Sequence, residues 1–326
     1  MEKKIKKIGV LCSGGDSPGM NAAVRAVTRT AIGAGLKVVG IKGGYAGIFK
    51  KEFINFDVSS VGNIIQRGGT ILLSSRCPEF HKKEYRKKAA NILKKEKIDA
   101  LVCIGGDGTF KGAMALEKEN NIPVMGIPGT IDNDISGTDY TIGFDTCIQT
   151  AVEAVDKIRD TAFSHERIFI VEVMGRRSPE IALHVGVCTG AENVIFDPKK
   201  VNYPKIVADI HRGIKRGKKS SIIISCEGDR PGHSYKIRKT LLEKFKVDAK
   251  VCILGHIQRG GSPTARDRYM ASQMGNLAVK ALLEGRYSLV TVYQKGQITL
   301  IPMKECQTTK DILNSKRFEI IKDLSI

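Results

Sequence analysis

The chain alternates short apolar runs with longer stretches in which apolar positions recur every three or four residues. Residues 8–11, 37–41, 100–104, 123–127, 168–173 and 251–254 are strand-length and rich in β-branched side chains. Residues 20–34, 89–96, 110–120 and 146–160 carry the helical period between them. Strands apolar on both faces, each followed by a helix, predict an α/β fold with a mostly parallel sheet and helices on both sides. The tail from about Gln307 reads as one helix. No internal repeat, low-complexity tract or flexible linker marks a domain boundary.

Open sheets of this kind bind ligands beyond the carboxyl ends of their strands, and glycine clusters stand at those positions. Ser13-Gly14-Gly15-Asp16 follows the first strand, Gly105-Gly106-Asp107-Gly108-Thr109 a later one, and Pro128-Gly129-Thr130-Ile131-Asp132-Asn133-Asp134 the next; Gly255-His256-Ile257-Gln258-Arg259-Gly260-Gly261 follows residues 251–254. Glycine lets backbone amides approach an anion, and a helix amino terminus favours negative charge. The first loop fits either an anion cradle or a plain tight turn. In the second, Asp107 adds the hard oxygen that magnesium takes beside substrate phosphates. In the third, Asp132 and Asp134 would share one side of an extended segment, where a carboxylate can serve as base for a hydroxyl; an Asx-rich turn capping a helix is the alternative. Arg76, Arg167, Arg176 and Arg259, with His256, lie near predicted strand ends, where guanidinium groups can clamp a moving phosphoryl group. Any one of them alone reads as a surface charge.

Length and charge narrow the picture. The 326 residues suggest about two domains, and 42% are hydrophobic, enough for sizeable cores. Lys plus Arg exceeds Asp plus Glu by 53 − 34, or +19, which attracts anionic partners. No zinc-finger, RNA-binding or basic-zipper spacing accompanies that charge. The lysines at 82, 83, 87, 88, 94 and 95 read as a solvated helix face rather than a nucleic-acid patch. Eight cysteines form no CxxC pair or ligand cluster and sit mostly in apolar runs, as buried hydrophobes of a reducing compartment would. The amino terminus does not read as a signal peptide, and no apolar run approaches the roughly 20 residues of a membrane span. A soluble, cytoplasmic protein is expected, with no nucleic-acid or membrane partner.

These motifs together, with Arg67-Gly68-Gly69-Thr70 and Glu172-Val173-Met174-Gly175-Arg176, resemble bacterial-type 6-phosphofructokinases in order and spacing from about residue 5 to 300. The resemblance implies two similar three-layer α/β lobes with the active site in the cleft between them: residues 1–142 with 255–305 as the larger, nucleotide-binding lobe, and 143–254 with 306–326 as the smaller, sugar-phosphate lobe. It implies a homotetramer that transfers a phosphoryl group from MgATP to the 1-hydroxyl of fructose 6-phosphate. Carried over, Asp132 is the base, Asp107 the magnesium-linked carboxylate and Asp134 its support, while Arg76, Thr130 and Arg176 act on the moving phosphoryl group. Gly15, Tyr45, Arg76, Cys77, Gly106, Asp107, Gly108, Thr109 and Gly112 match ATP positions. Thr130, Asp132, Met174, Gly175, Arg176, Glu227, His256 and Arg259 match the sugar-phosphate site, with Arg167 and Lys250 reaching in from a neighbouring subunit. Pyrophosphate-using relatives carry larger side chains where Gly108 and Gly129 stand, so two glycines favour ATP.

Departures from the family pattern are Lys250 in place of arginine, which loses the bidentate fork, and Arg177-Ser178-Pro179-Glu180 after Arg176. Arg25, Arg29, Arg159, Glu192, Lys218 and Lys219 match an effector pocket for ADP or phosphoenolpyruvate; Val58 and Ser220 replace basic residues common there. A plain subunit interface is the alternative reading of that group. A lipid or NAD kinase would share the second glycine loop but not the third with the fourth. A non-catalytic sugar-phosphate subunit would be expected to lack Asp107 or Asp132. Salt-dependent retention on DNA would point instead to a nucleic-acid binder.

Overall fold

The computed structural model describes residues 5–176, 178–307 and 319–324. In chain order the elements are β1 (Lys7–Ser13), α1 (Met20–Gly33), β2 (Lys37–Ile41), α2 (Gly44–Lys50), β3 (Phe53–Phe56), α3 (Lys83–Lys95), β4 (Ala100–Gly105), α4 (Asp107–Asn120), β5 (Val124–Pro128) and α5 (Phe144–Ser164). There follow β6 (Ile168–Val173), α6 (Glu180–Cys188), β7 (Asn193–Ile195), α7 (Tyr203–Lys215), β8 (Ser221–Cys226), α8 (His233–Phe245) and β9 (Ala249–Ile253). The last are α9 (Ala265–Leu283), β10 (Leu289–Gln294), β11 (Gln297–Pro302) and α10 (Glu319–Leu324). Of the tail expected to be helical from about Gln307, residues 308–318 lie outside the described residues, as does Arg177.

The chain divides into two compact units, Met1–Thr146 with Arg259–Lys310 and Cys147–Gln258 with Asp311–Ile326. The first is built on a seven-stranded sheet in the order β11-β10-β5-β4-β1-β2-β3. Its central strands pair in parallel, and the edge strands β3 and β11 run antiparallel. Two apolar cores cover its faces. One contains Val10, Met20, Val24, Val27, Val102 and Met274; the other contains Leu11, Ile41, Leu93, Leu101, Phe110 and Leu116. Val10 and Leu11 go to opposite cores because successive strand side chains alternate in direction. Helices α1 and α9 approach closely because Gly275 has no side chain: a Cβ there would sit 2.7 Å from the Ala26 Cβ.

The second unit has a four-stranded, wholly parallel sheet, β7-β8-β6-β9. One side of it buries Ile170, Ile206, Ile210, Ile223, Ile237 and Leu241. Glu172, fully buried on β6, accepts hydrogen bonds from the backbone N–H groups of Gly232 and Ser234 at 2.7 and 2.9 Å and so caps the start of α8.

Candidate active site

In the first unit, β5, β4 and β1 are neighbours, and their registers end together: Ser13 pairs with Gly105, and Gly105 with Pro128. The three loops at 13–19, 105–109 and 128–134 therefore leave the same edge side by side. Glycine is required where they touch. A Cβ on Gly105 would fall 2.4 Å from both the Ser13 carbonyl oxygen and Thr109 Oγ1. The Thr109 hydroxyl donates to that same carbonyl at 3.0 Å, which pins the first turn of α4 to β1. A side chain on Gly108 would meet nothing within 4 Å, so open space lies over this turn, while one on Gly129 would press on Ile104 and Met20 at 3.1 Å.

Around this edge the unit assembles Gly15, Tyr45, Gly106, Asp107, Thr109 and Gly112. The Tyr45 ring stacks on Phe80 at 4.0 Å with 9° between planes. Its hydroxyl donates to the Thr109 carbonyl at 2.6 Å, and burial holds that phenol well above its ordinary pKa. Gly112 lies against both rings; a Cβ there would stand 3.0 Å from Tyr45. Arg76 is exposed and Cys77 partly buried, just before the short 3-10 turn Pro78–His81. Asp107 opens α4 with one oxygen, Oδ2, 2.6 Å from the Lys111 ammonium; the other, Oδ1, is buried with no hydrogen-bond donor.

The segment after β5 is a turn, not the extended stretch that would project Asp132 and Asp134 from one side. Asn133 takes a left-handed conformation (φ 48°), its Oδ1 accepting from the Thr141 N–H at 3.0 Å and its Nδ2 donating to the Asp139 carbonyl at 3.0 Å. Those bonds fix the turn and override the two-residue period on which a shared face depends. Asp132 is buried at 7% exposure, with its N–H donating to Thr130 Oγ1 at 3.3 Å. Arg259 also belongs to this unit. Its Nη1 donates to the Asp16 carbonyl at 3.2 Å, over the spot a Gly15 side chain would fill. Arg25 and Arg29 lie on α1.

The second unit carries the remaining residues in two sets at opposite ends of its sheet. At the carboxyl ends of β6 and β8, Glu227 Oε1 accepts from the Arg176 N–H at 3.2 Å, and the Glu227 N–H donates to the Val173 carbonyl at 2.9 Å. Gly175 (φ 137°) and Arg176 (φ 49°) both have positive φ; a Cβ on Gly175 would meet the Ser178 carbonyl at 2.5 Å. The buried Gln258 accepts from the Met174 N–H at 2.9 Å, and His256 is exposed on the same loop. At the other end, Arg167 precedes β6, and Lys250 pairs across from Phe169. The Lys250 ammonium sits 2.8 Å from Asp248 Oδ2, and it is the first cause holding that carboxyl below its ordinary pKa. The length of β6, about 17 Å at roughly 3.3 Å per residue, separates the two sets. In the effector group of this unit, Glu192 is already engaged by Lys218, by Arg159 at 3.9 Å and by the Ile222 N–H, while Lys219 pairs with Glu166 at 2.8 Å.

Sequence reasoning gave no role to Asn21, Phe80, Lys111, Gln258 or Asp267. Asn21 binds the carbonyls of Arg67 and Gly68 and the N–H of Ile71, which holds the 67–71 loop on α1. A stacking partner for Tyr45 or a lysine four residues after Asp107 could have been sought; the others act through contacts far away in sequence.

Glycine-containing loops at adjacent parallel strand ends, a helix amino terminus with a carboxylate and a buried acid beside them suit a phosphotransferase-type site. Residues 7–282 match the phosphofructokinase family, and the chain belongs to it. An ATP-dependent 6-phosphofructokinase 1 of Thermus thermophilus is 53% identical over 310 residues, covering 94% of this chain and 96% of that one. An ATP-dependent 6-phosphofructokinase of a Thermoanaerobacter species is 51% identical over 323 residues, 99% of this chain and all of the relative. Among solved structures, T-state phosphofructokinase of Pichia pastoris superposes with a TM-score of 0.89 at 32% identity, over 99% of this chain but 39% of that longer one. A pyrophosphate-dependent phosphofructokinase of Marinobacter aquaeolei shares the fold, with a TM-score of 0.84 at 21% identity over 98% of this chain and 91% of that one.

Proposed function

We propose that the chain catalyses transfer of the terminal phosphoryl group of ATP to the 1-hydroxyl of fructose 6-phosphate, giving fructose 1,6-bisphosphate and ADP. The observation that carries this reading is the side-by-side exit of three glycine-containing loops from β1, β4 and β5, with Asp107 and Asp132 on two of them. In this reading Asp132 accepts the hydroxyl proton as the sugar oxygen attacks. Arg76, Thr130 and Arg176 stabilise charge on the transferring oxygens, and Asp134 supports the base. Tyr45, Cys77 and the glycines at 15, 106, 108 and 112 hold the nucleotide with Thr109. Met174, Gly175, Arg176, Glu227, His256 and Arg259 hold the sugar phosphate.

Asp107 suits magnesium: its buried Oδ1 lacks a donor and stands at the positive end of α4. Among the described residues no group of three or more His, Cys, Asp or Glu could hold a metal, so the cation would rest on Asp107 and substrate oxygens. When bound, magnesium supplies positive charge against the polyphosphate. Arg167 and Lys250, a sheet's length from Arg176, would serve a neighbouring copy's site, which favours a homotetramer. An ADP or phosphoenolpyruvate effector at Arg25, Arg29, Arg159, Glu192, Lys218 and Lys219 would have to draw Lys218 and Arg159 away from Glu192. No helix among the described residues is long and apolar enough to cross a membrane, and a cytoplasmic enzyme fits this chemistry.

The donor is ATP in this reading because the space over Gly108 is open; Gly129, where a side chain would press on Ile104 and Met20, adds no open space to that argument. A coupled assay with fructose 6-phosphate should give turnover with ATP and none with pyrophosphate. Preference for pyrophosphate would refute the donor argument, and no turnover with either would refute the function.

A further inference from the structure

Lys111 has no part in the site as described so far, yet its ammonium is the one partner that Asp107 has among the described contacts, at 2.6 Å from Oδ2. The pair joins residues four apart on α4, whose first turn faces the open space over Gly108. Both side chains are partly exposed, at 53% and 39%, so the ammonium is free to swing. An exposed ion pair of this kind is weak, and a stronger anion or cation nearby would break it. A divalent cation and an ammonium four residues along the same helix face would then share one carboxylate, whose single negative charge cannot balance both. When the cation takes the carboxylate, the ammonium is left beside a polyphosphate.

We propose that Lys111 is a nucleotide-site residue that neutralises Asp107 in the metal-free enzyme and passes to a polyphosphate oxygen when magnesium takes that carboxylate. The proposal rests on the kinase reading of the same site. It makes Lys111 a two-position charge: on Asp107 it removes the repulsion that a bare carboxylate would exert on incoming phosphates, and on the nucleotide it adds a charge-assisted contact. Its loss therefore falls unequally on metal-free and metal-bound nucleotide. Without magnesium, the variant suffers both the missing contact and the exposed repulsion. With magnesium, it suffers the missing contact alone.

The test is calorimetric titration of the full-length protein with ADP, once with EDTA and once with saturating magnesium, for the wild type, Lys111→Met and Lys111→Arg. For Lys111→Met we expect affinity for metal-free ADP to fall about tenfold or more and affinity for magnesium ADP about threefold, so that the tightening due to magnesium grows. Lys111→Arg, which keeps the charge, should restore most of both. Equal affinities in wild type and Lys111→Met would overturn the proposal, as would equal losses with and without magnesium, the mark of a merely structural role. A wild type that bound no ADP under either condition would instead strike at the kinase reading itself.

Discussion

Asp132 occupies a turn whose shape is dictated by its neighbour. Asn133 closes the turn through Thr141 and Asp139, and Asp132 lies buried within it. The proposed role of Asp132 as base is testable at the scale of one residue. Asp132→Asn preserves size and should leave sugar-phosphate binding nearly intact while lowering kcat by about 10²–10⁴-fold, the usual cost of losing a positioned base. Steady-state kinetics with fructose 6-phosphate measures both. A variant that kept near-normal turnover, or one that lost binding and turnover together, would make Asp132 structural.

At the scale of elements, buried runs were the easiest to read. β1, β4 and β5 are continuous apolar runs because both faces are covered, and their glycine-rich ends announced the site. α3 was legible by two signals: apolar periodicity marked only its second half from Ala89, while the lysine-rich face from Lys82 to Lys95 marked the first turns, which pack through Arg86 rather than through apolar residues. α2 was missed: it is seven residues long and opens on Gly43 and Gly44, both of positive φ, so no helical period announces it. The segment at 130–134 read equally as an extended stretch or an Asx-rich turn, because the bonds that make it a turn run to Asp139 and Thr141, which no local period reveals. Asp267 was silent for a similar reason. This buried residue of α9 accepts from the N–H groups of Gly143 and Thr146 and from the Thr146 hydroxyl, at 2.9, 2.9 and 2.5 Å, and so caps the start of α5 from more than 120 residues away. Burial outweighs those donors and pushes its carboxyl up from 3.8 to about 6. A raised pKa means that the folded state binds the proton more tightly than the unfolded chain. The stability this adds is complete below about pH 3.8 and is lost as pH rises through about 6. Urea titrations of wild type and Asp267→Asn should therefore diverge with pH, the wild type gaining about 2 kcal/mol relative to the variant between pH 7 and pH 4. Parallel curves would show that the three donors offset burial, and a wild type that lost stability as pH fell would show that the donors outweigh it.

For the whole molecule, the decisive fact is that one chain carries the residues proposed for the sugar phosphate at two ends of one sheet. Arg176 and Glu227 stand at the carboxyl ends of β6 and β8, and Arg167 and Lys250 at the start of β6 and β9. A ligand the size of a hexose phosphate cannot bridge a strand's length of about 17 Å, so if both sets serve one reaction, a second copy must complete the site. Closed symmetric assembly provides that without a new kind of contact, because each copy both donates and receives. The net charge of +19 acts at this scale too, drawing both anionic substrates towards the protein. The arrangement predicts complementation between defective chains. Arg176→Ala and Lys250→Ala should each impair turnover at low fructose 6-phosphate. Dissociated, mixed in equal amounts and reassociated, they should regain activity in about a quarter of the sites, those pairing an intact Arg176 from one chain with an intact Lys250 from another. If Lys250 served its own chain, every site in every hybrid would keep one defect and mixing would restore nothing. Activity measured before and after reassociation, with each variant carried through alone as a control, decides between the two.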